Sequence, residues 1–229
     1  GIKSKCRSLI YKDGEQPVYS GYSVWRGILE ENQSENHIHL GPNFHIVTYP
    51  INNTRTSFVA AIKNPKKTEE SWKSKGTYED LCRDLPKSTR YIYESLQDSN
   101  EIYKWGVYTK KIPDKLFDNN ITFLGDAAHP MVPFLGQGGC MALEDAYIFG
   151  KLIKLNDSMK TSQIMYQKLR YKRVKKIYKD SALQGKLNHI SNPFIAYCRN
   201  FLMKYMLVEA LKPNSIWGYD PDVEIKKIR

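Results

Sequence analysis

At 229 residues, 41% hydrophobic and 12% aromatic, the chain is long enough for one large or two small domains with their own core. A mean hydropathy of -0.55 with 26% charged residues excludes the composition of a membrane protein. The longest runs without Lys, Arg, Asp or Glu, 36–54 and 127–143, are broken by Gly, Pro and polar residues, so no stretch approaches the ~20 apolar residues of a span.

The formal charge of +11 is carried by residues 151–229, because 1–150 hold 18 basic and 18 acidic side chains that cancel. A solvated helix face is the expectation there, with no nucleic-acid partner, since no recognition motif accompanies the basic residues. Cys6, Cys82, Cys140 and Cys198 form no C-x-x-C pair, which predicts reduced thiols and a cytoplasmic location. His37, His39, His45, His129 and His189 lack ligand spacing, so no metal is expected. The chain opens GIKSKCRS, without Met or an apolar leader, and is expected to be a fragment or a processed product.

In chain order, VYSGYSVWRGIL (18–29) reads as a strand rich in β-branched and aromatic residues. HIHLGPNFHIVTYPI (37–51) predicts two strands around a Gly-Pro turn, and TSFVAAI (56–62) a third, together an antiparallel meander. Residues 63–100 are polar and charged, with a helical pattern broken at Pro86, and KWGVYTKKI (104–112) returns to strand. ITFLG (121–125), short, apolar and closed by Gly-Asp, predicts a strand buried on both faces as in a parallel sheet. A helix is expected from about Gly138 to Leu155, with Met141, Ala142, Ala146, Phe149, Leu152 and Ile153 on its inner side. A longer basic helix follows over 160–187, then a broken helix near 194–211 and a turn-rich end.

The stretch FLGDAAHPMVPFLGQGGCMALEDA (123–146) places an Asp and a Gly- and Pro-rich loop between strand and helix. In open α/β sheets that position binds ligands. Asp126 would accept hydrogen bonds from ligand hydroxyls, and glycines in the loop would let main chain approach a flat ligand closely. The helix end would favour electron-rich oxygens. A tight turn whose glycines serve geometry alone is the alternative at this level.

GDAAHPMVPFLGQGGCMALEDA resembles the second FAD-binding motif of the flavin-dependent aromatic hydroxylases, the class A monooxygenases, and within them the salicylate hydroxylase-like subgroup. Gly1, Ser4 and Arg7 resemble the end of that family's Asp-Gly motif. YSGYSVWRG (19–27) and HIVTYP (45–50) look like its substrate-domain strands. Tyr166, Arg170 and Arg173 match its Tyr-x-x-x-Arg-x-x-Arg helix, and WGYD (217–220) its tail. The resemblance implies an α/β fold: a partial glutathione-reductase-type FAD domain over 1–14 and 116–190, an inserted antiparallel substrate sheet over 15–115, and a helical tail over 191–229. It also implies FAD as cofactor, NADH or NADPH as co-substrate, and insertion of one oxygen atom of O2 into a small phenol- or benzoate-like substrate.

Carried onto this sequence, the cofactor contacts would be Arg7 near the diphosphate, Gly125 and Asp126 at the ribityl chain, and Pro133, Gly136, Gln137, Gly138 and Gly139 along the flavin ring. His129 would hold the loop. Trp25, Arg26, His45 and Tyr49 are the candidate substrate contacts. Arg26 suits a carboxylate, and His45 would act as base or hydrogen-bond partner; alternation puts His45, Val47 and Tyr49 on one strand face. The family's leading G-x-G-x-x-G fingerprint does not occur in these residues, so this chain alone is expected to bind FAD poorly. The remaining alternatives are an epoxidase or hydroxylase of a larger or non-aromatic substrate, and a flavin-free domain whose basic helices bind an acidic partner.

Overall fold

The computed structural model describes residues 1–11, 16–71, 73–205 and 214–228. They form two compact units, one of residues 1–18, 108–185 and 200–229, the other of 19–107 and 186–199. The segment 186–199, expected with the cofactor part and the tail, thus clusters with the sheet.

The second unit is built on a five-stranded sheet. Its strands are β1 (Val18–Leu29), β2 (His37–Gly41), β3 (Phe44–Pro50), β4 (Thr56–Lys63) and β5 (Tyr103–Thr109), in the order β2-β3-β4-β1-β5. The expected antiparallel meander is present: β2 pairs with β3, β3 with β4 and β4 with β1, all antiparallel. Asn43, with φ of 65°, makes the turn between β2 and β3; Asn tolerates that left-handed conformation better than most residues.

One face of the sheet is a core layer of Trp25, Leu29, Phe44, Ile46, Phe58, Ala60 and Ile62, packed against Leu81, Leu85, Ile92, Tyr93 and Leu96. Each such side chain, fully buried, contributes about 1.5–3 kcal/mol. The covering segment is less helical than its sequence suggests. Its described residues hold α2 (Tyr78–Asp84) and two 3-10 turns, Lys87–Ile92 and Glu94–Leu96. Thr77 caps α2 by accepting from the Asp80 N–H, and Leu85 turns extended ahead of Pro86, as a residue before proline does.

The first unit contains α1 (Lys5–Tyr11), α3 (Gly138–Leu155), most of α4 (Met159–Asn188), α6 (Asn214–Trp217) and α7 (Pro221–Lys227). Helix α5 (Pro193–Tyr205) runs across the division between units, and the remainder of the expected helix near 194–211 lies outside the described residues. The first unit's core joins Leu116, Phe123, Ala128, Ile148, Leu152, Tyr166, Val174 and Ile225.

ITFLG does not form a parallel strand among the described residues. Ile121–Thr122 is β7 in a two-residue antiparallel pairing with β6, Phe117–Asp118, across a turn at Asn119, whose φ is 47°. Phe123 is buried while Ile121 is 40% exposed, so the run is not covered on both faces. Residues 214–228 are more helical than expected. Asp220 accepts from the N–H groups of Asp222 and Val223 and starts α7 with Pro221 in its first turn, the usual chemistry of a helix start.

Candidate functional site

Each unit holds part of the chemistry that the sequence singled out. In the first, residues 125–139 lie between β7 and α3. Gly125, with φ of 54°, begins a 3-10 turn over Gly125–Ala127, and a second turn, Pro133–Leu135, ends at Gly136 with φ of 65°. Asp126, Pro133, Gly136 and Gly139 are exposed, Gly138 is half-buried and Gln137 is buried. A Cβ added to Gly136, Gly138 or Gly139 would meet no heavy atom within 4 Å. The main chain there borders open space, room that a planar ligand can occupy.

Helix α3 starts at the end of this loop with no side-chain cap on Gln137 and no acidic residue in its first turn. Its first N–H groups therefore keep their capacity to donate, and the helix dipole adds about half a positive charge at that end. Gln137 turns inward, its Nε2 donating to the Leu135 carbonyl at 3.3 Å.

A buried polar latch holds the loop in place. Asp145, fully buried on α3, accepts from the Gly125 N–H at 2.8 Å and from His129 Nε2 at 2.6 Å, both on Oδ2. Its Oδ1 accepts from Arg170 Nε on α4 at 2.7 Å. Arg170 also donates to Glu144 at 2.6 Å, and Arg173 grips the same Glu144 at 2.7 and 2.6 Å while stacking 3.7 Å from the centre of the Tyr219 ring. Burial alone would raise the Asp145 pKa; the His129 hydrogen bond, the charges of His129 and Arg170 and the Gly125 N–H outweigh it and hold the carboxyl below its ordinary range. An ionised carboxylate can only accept, so His129 Nε2 carries a proton. His129 is 1% exposed and ties the loop to α3, as the resemblance implies.

The α3 face differs from the one expected. Met141, Asp145, Ile148 and Leu152 are buried, whereas Ala146 and Ile153 are exposed. The real stripe passes through a charged residue that a hydrophobic pattern does not count.

Arg7 is held by main chain. It is 1% exposed, and its guanidinium donates to the carbonyls of Ala127 at 3.1 Å, Ala128 at 3.5 Å and Lys111. Five N–H donors in a fixed fork suit several carbonyls at once. Its guanidinium thus engages main chain of the 125–129 turn and of Lys111.

In the second unit the sheet face opposite the core carries the substrate candidates, apart from Trp25. Directly paired residues share a face in an antiparallel sheet. The register Val24↔Ala61↔His45 and the next row, Arg26↔Val59↔Val47, therefore lie together, followed by Ile28↔Ser57↔Tyr49. Arg26 is exposed, Tyr49 is 37% exposed and His45 is 6% exposed. Trp25 points the other way. It is fully buried in the core layer, with its indole N–H donating to Asp84 at 2.8 Å and Lys104 Nζ 4.9 Å from its ring centre. Its alternation with Arg26 along β1 decides this: one of the two had to be core, and the indole carries the larger apolar area.

The residue that sequence reasoning missed is His189. Its Nε2 lies 3.1 Å from His45 Nδ1 and 3.2 Å from the Ala61 carbonyl, and its ring centre is 4.9 Å from that of Tyr22. It is 5% exposed. Burial, and then repulsion from His189, push the His45 pKa down to about 3, so His45 is neutral near pH 7. No pattern in the sequence links positions 144 residues apart.

No group of three or more His, Cys, Asp and Glu among the described residues could hold a metal ion. No helix among them is long and apolar enough to cross a membrane.

Comparison with known proteins gives this geometry a family. The chain is 28% identical over 199 residues to a 3-amino-4-hydroxybenzoate 2-monooxygenase of Streptomyces platensis, covering 83% of this chain and 50% of that protein. It is 27% identical over 234 residues to 3-hydroxybenzoate 6-hydroxylase 2 of Aquipseudomonas alcaligenes, covering 95% of this chain and 65% of the relative. The chain thus spans about half to two thirds of the length of these curated relatives. Among solved structures, a salicylate hydroxylase substrate complex shares the fold at a TM-score of 0.80 and 21% identity, covering 99% of this chain and 62% of that one. The fold is thereby the mixed helix-and-sheet arrangement of that enzyme, with the antiparallel sheet the sequence predicted. A family profile described as FAD binding domain matches residues 4–177, and the chain belongs to that family.

Proposed function

We propose that the protein is an FAD-dependent monooxygenase that inserts one oxygen atom of O2 into a small phenol- or benzoate-like substrate at the expense of NADH or NADPH, and that it works in the cytoplasm. The observation that carries this reading is the open backbone at Gly136, Gly138 and Gly139 in front of an uncapped helix end, on a loop latched through Asp145. A flat isoalloxazine ring, electron-rich at its carbonyl oxygens, fits a surface without Cβ atoms that ends in unused N–H donors. The two enzymes of similar sequence are named for hydroxybenzoates, which points to the benzoate-like class.

In this reading Gly125 and Asp126 meet the ribityl chain, with the exposed Asp126 carboxylate accepting from its hydroxyls. Pro133, Gly136, Gly138 and Gly139 line the ring, and the first N–H groups of α3 donate to its carbonyl oxygens. Gln137 and Arg7 act through the backbone they hold. The first unit would be the cofactor unit and the sheet unit the substrate unit. When bound, FAD supplies the redox chemistry and the activation of O2; the protein binds, orients and excludes water. On the sheet face, Arg26 pairs the substrate carboxylate, Tyr49 packs on its ring and His45 hydrogen-bonds its oxygen.

The test is made on the protein produced from its complete reading frame. NADH and NADPH consumption is followed with and without 3-hydroxybenzoate and salicylate, and the product is weighed after reaction under isotopically labelled O2. Substrate-stimulated consumption with one labelled oxygen in the ring is expected. Oxidation indifferent to every aromatic acid, with no label in the product, would refute the reading.

A further inference from the structure

We propose that His189 is a positioning residue that fixes the His45 imidazole with its proton on Nε2, so that the substrate group meeting His45 is an acceptor oxygen, carboxylate or phenolate. The second clause rests on the proposal that this sheet face binds the substrate; the first stands on the geometry of the pair.

The Ala61 carbonyl can only accept a hydrogen bond, and it lies 3.2 Å from His189 Nε2. His189 Nε2 therefore carries a proton. The same nitrogen is 3.1 Å from His45 Nδ1. Two N–H groups cannot face each other at that distance, so Nδ1 of His45 presents its lone pair and receives a share of the His189 proton. A neutral imidazole has one N–H, which leaves that of His45 on Nε2. The arrangement is built in on both sides. Ala61 is the direct cross-strand partner of His45, so the carbonyl that orients His189 comes from the strand beside it. The His189 ring packs against both Tyr22, at 4.9 Å, and His45, at 4.8 Å, which limits its rotation. Protonating His45 on Nδ1 would set N–H against N–H between two rings that are largely buried, 6% and 5% exposed.

This choice of tautomer has a chemical consequence. His45 with its proton on Nε2 and its Nδ1 engaged has no lone pair to remove a phenolic proton. The base role considered from the sequence gives way to that of a donor. A donor holds an oxygen, most strongly one that is already anionic or becomes so, and it disfavours a ligand that presents only N–H at that point. A benzoate or phenolate is matched by such a site; an aniline or an amide nitrogen is not.

The proton can be located without any turnover, so failure of the monooxygenase reading would leave this test intact. The chain has five histidines. With nitrogen-labelled histidine, long-range proton–nitrogen spectra at neutral pH give the tautomer of each ring, and His45→Gln assigns the signal of interest. A pyridine-type Nδ1 and a pyrrole-type Nε2 on His45 are expected. A proton on Nδ1 of His45 in the wild-type protein would overturn the proposal. The amide of His189→Gln can still donate, whereas His189→Leu cannot. The Nε2-protonated form is expected to persist in the first and to be diluted by the other tautomer in the second. In the assay above, the KM for a hydroxybenzoate is expected to rise about tenfold in His189→Leu, the size of one hydrogen bond, and to stay near wild type in His189→Gln. An unchanged His45 tautomer in His189→Leu would likewise overturn the positioning role.

Discussion

Arg170 Nε lies 2.7 Å from Asp145 Oδ1, and both side chains are fully buried. The pair joins α3 to α4, and through the other Asp145 oxygen it holds Gly125 and His129. The loop proposed to face the cofactor is thus set by an ion pair that itself sees no solvent.

Breaking this pair from one side leaves a buried charge without its partner. Asp145→Ala and Arg170→Ala are each expected to destabilise the protein by about 3–5 kcal/mol. The double variant should lose much less than the sum, because the two residues share one network. Thermal or denaturant unfolding of the three variants checks this; additive losses would show that the two side chains act independently.

Gly125 and Gly138 belong to one loop and helix start but have opposite constraints. Gly125 has a φ of 54°, and an added Cβ would lie 3.0 Å from the Ala142 Cβ; Gly138 has neither restriction. Gly125→Ala is expected to cost about 1–2 kcal/mol for the left-handed backbone alone, with the close contact adding to it. Gly138→Ala should leave the melting temperature unchanged or raise it slightly, since Ala is the better helix former by up to about 1 kcal/mol. Equal melting temperatures for the two variants would contradict the geometry.

His45→Ala, on the sheet face, is expected to leave flavin content unaltered while lowering kcat/KM for a phenolic acid by about tenfold or more, as loss of a hydrogen bond to an ionised oxygen implies. Flavin analysis and steady-state kinetics on the same preparation check both halves. Turnover equal to wild type would remove His45 from the substrate site.

The His45 pair also predicts how stability responds to acid. Burial and repulsion from His189 lower the folded-state pKa of His45 to about 3, from an ordinary value of 6.5. Between these values the unfolded chain takes up a proton that the folded chain refuses, so stability present above about pH 6.5 is lost progressively down to about pH 3. The slope reaches about 1.4 kcal/mol per pH unit within that window. Asp145, whose pKa is lowered in the fold, adds to the loss as pH falls through its ordinary range near 3.8. His45→Phe should flatten the upper part of the window in urea titrations taken from pH 7 to 5; a slope identical to wild type would contradict the assignment.

Much of this was legible in the sequence, for reasons that particular residues make clear. Strand β1 and helix α3 follow local patterns, a β-branched and aromatic run and a glycine start with apolar spacing, and their limits coincide with those expected. The loop at 125–139 was legible because it concentrates glycine and proline between an apolar run and a helix start. What escaped is what depends on distant partners. Asp145 is an acid on a helix, and only His129 and Arg170 explain why it is buried. His189 acquires meaning from His45, far away in the chain. Trp25 and Arg26 are neighbours whose side chains point to opposite faces, and their assignment required knowing which face α2 covers. The run 121–125 looked like a buried strand because apolar composition does not say what covers a residue; it pairs only with its immediate neighbour, Asp118↔Ile121, and Ile121 stays 40% exposed.

The central claim is that the open backbone of the 125–139 loop is where FAD lies, and one variant tests it most directly. Gly139 is exposed, and an added Cβ would meet open space, so Gly139→Phe puts a ring on the surface assigned to the flavin. The measurement, made on the protein produced from its complete reading frame, is FAD bound per protein after purification and after titration, alongside the melting temperature without ligand. The account predicts flavin in the wild-type protein and its loss in Gly139→Phe at an unchanged melting temperature. A Gly139→Phe protein that retains flavin as the wild type does, or a wild-type protein that takes up none, would contradict it.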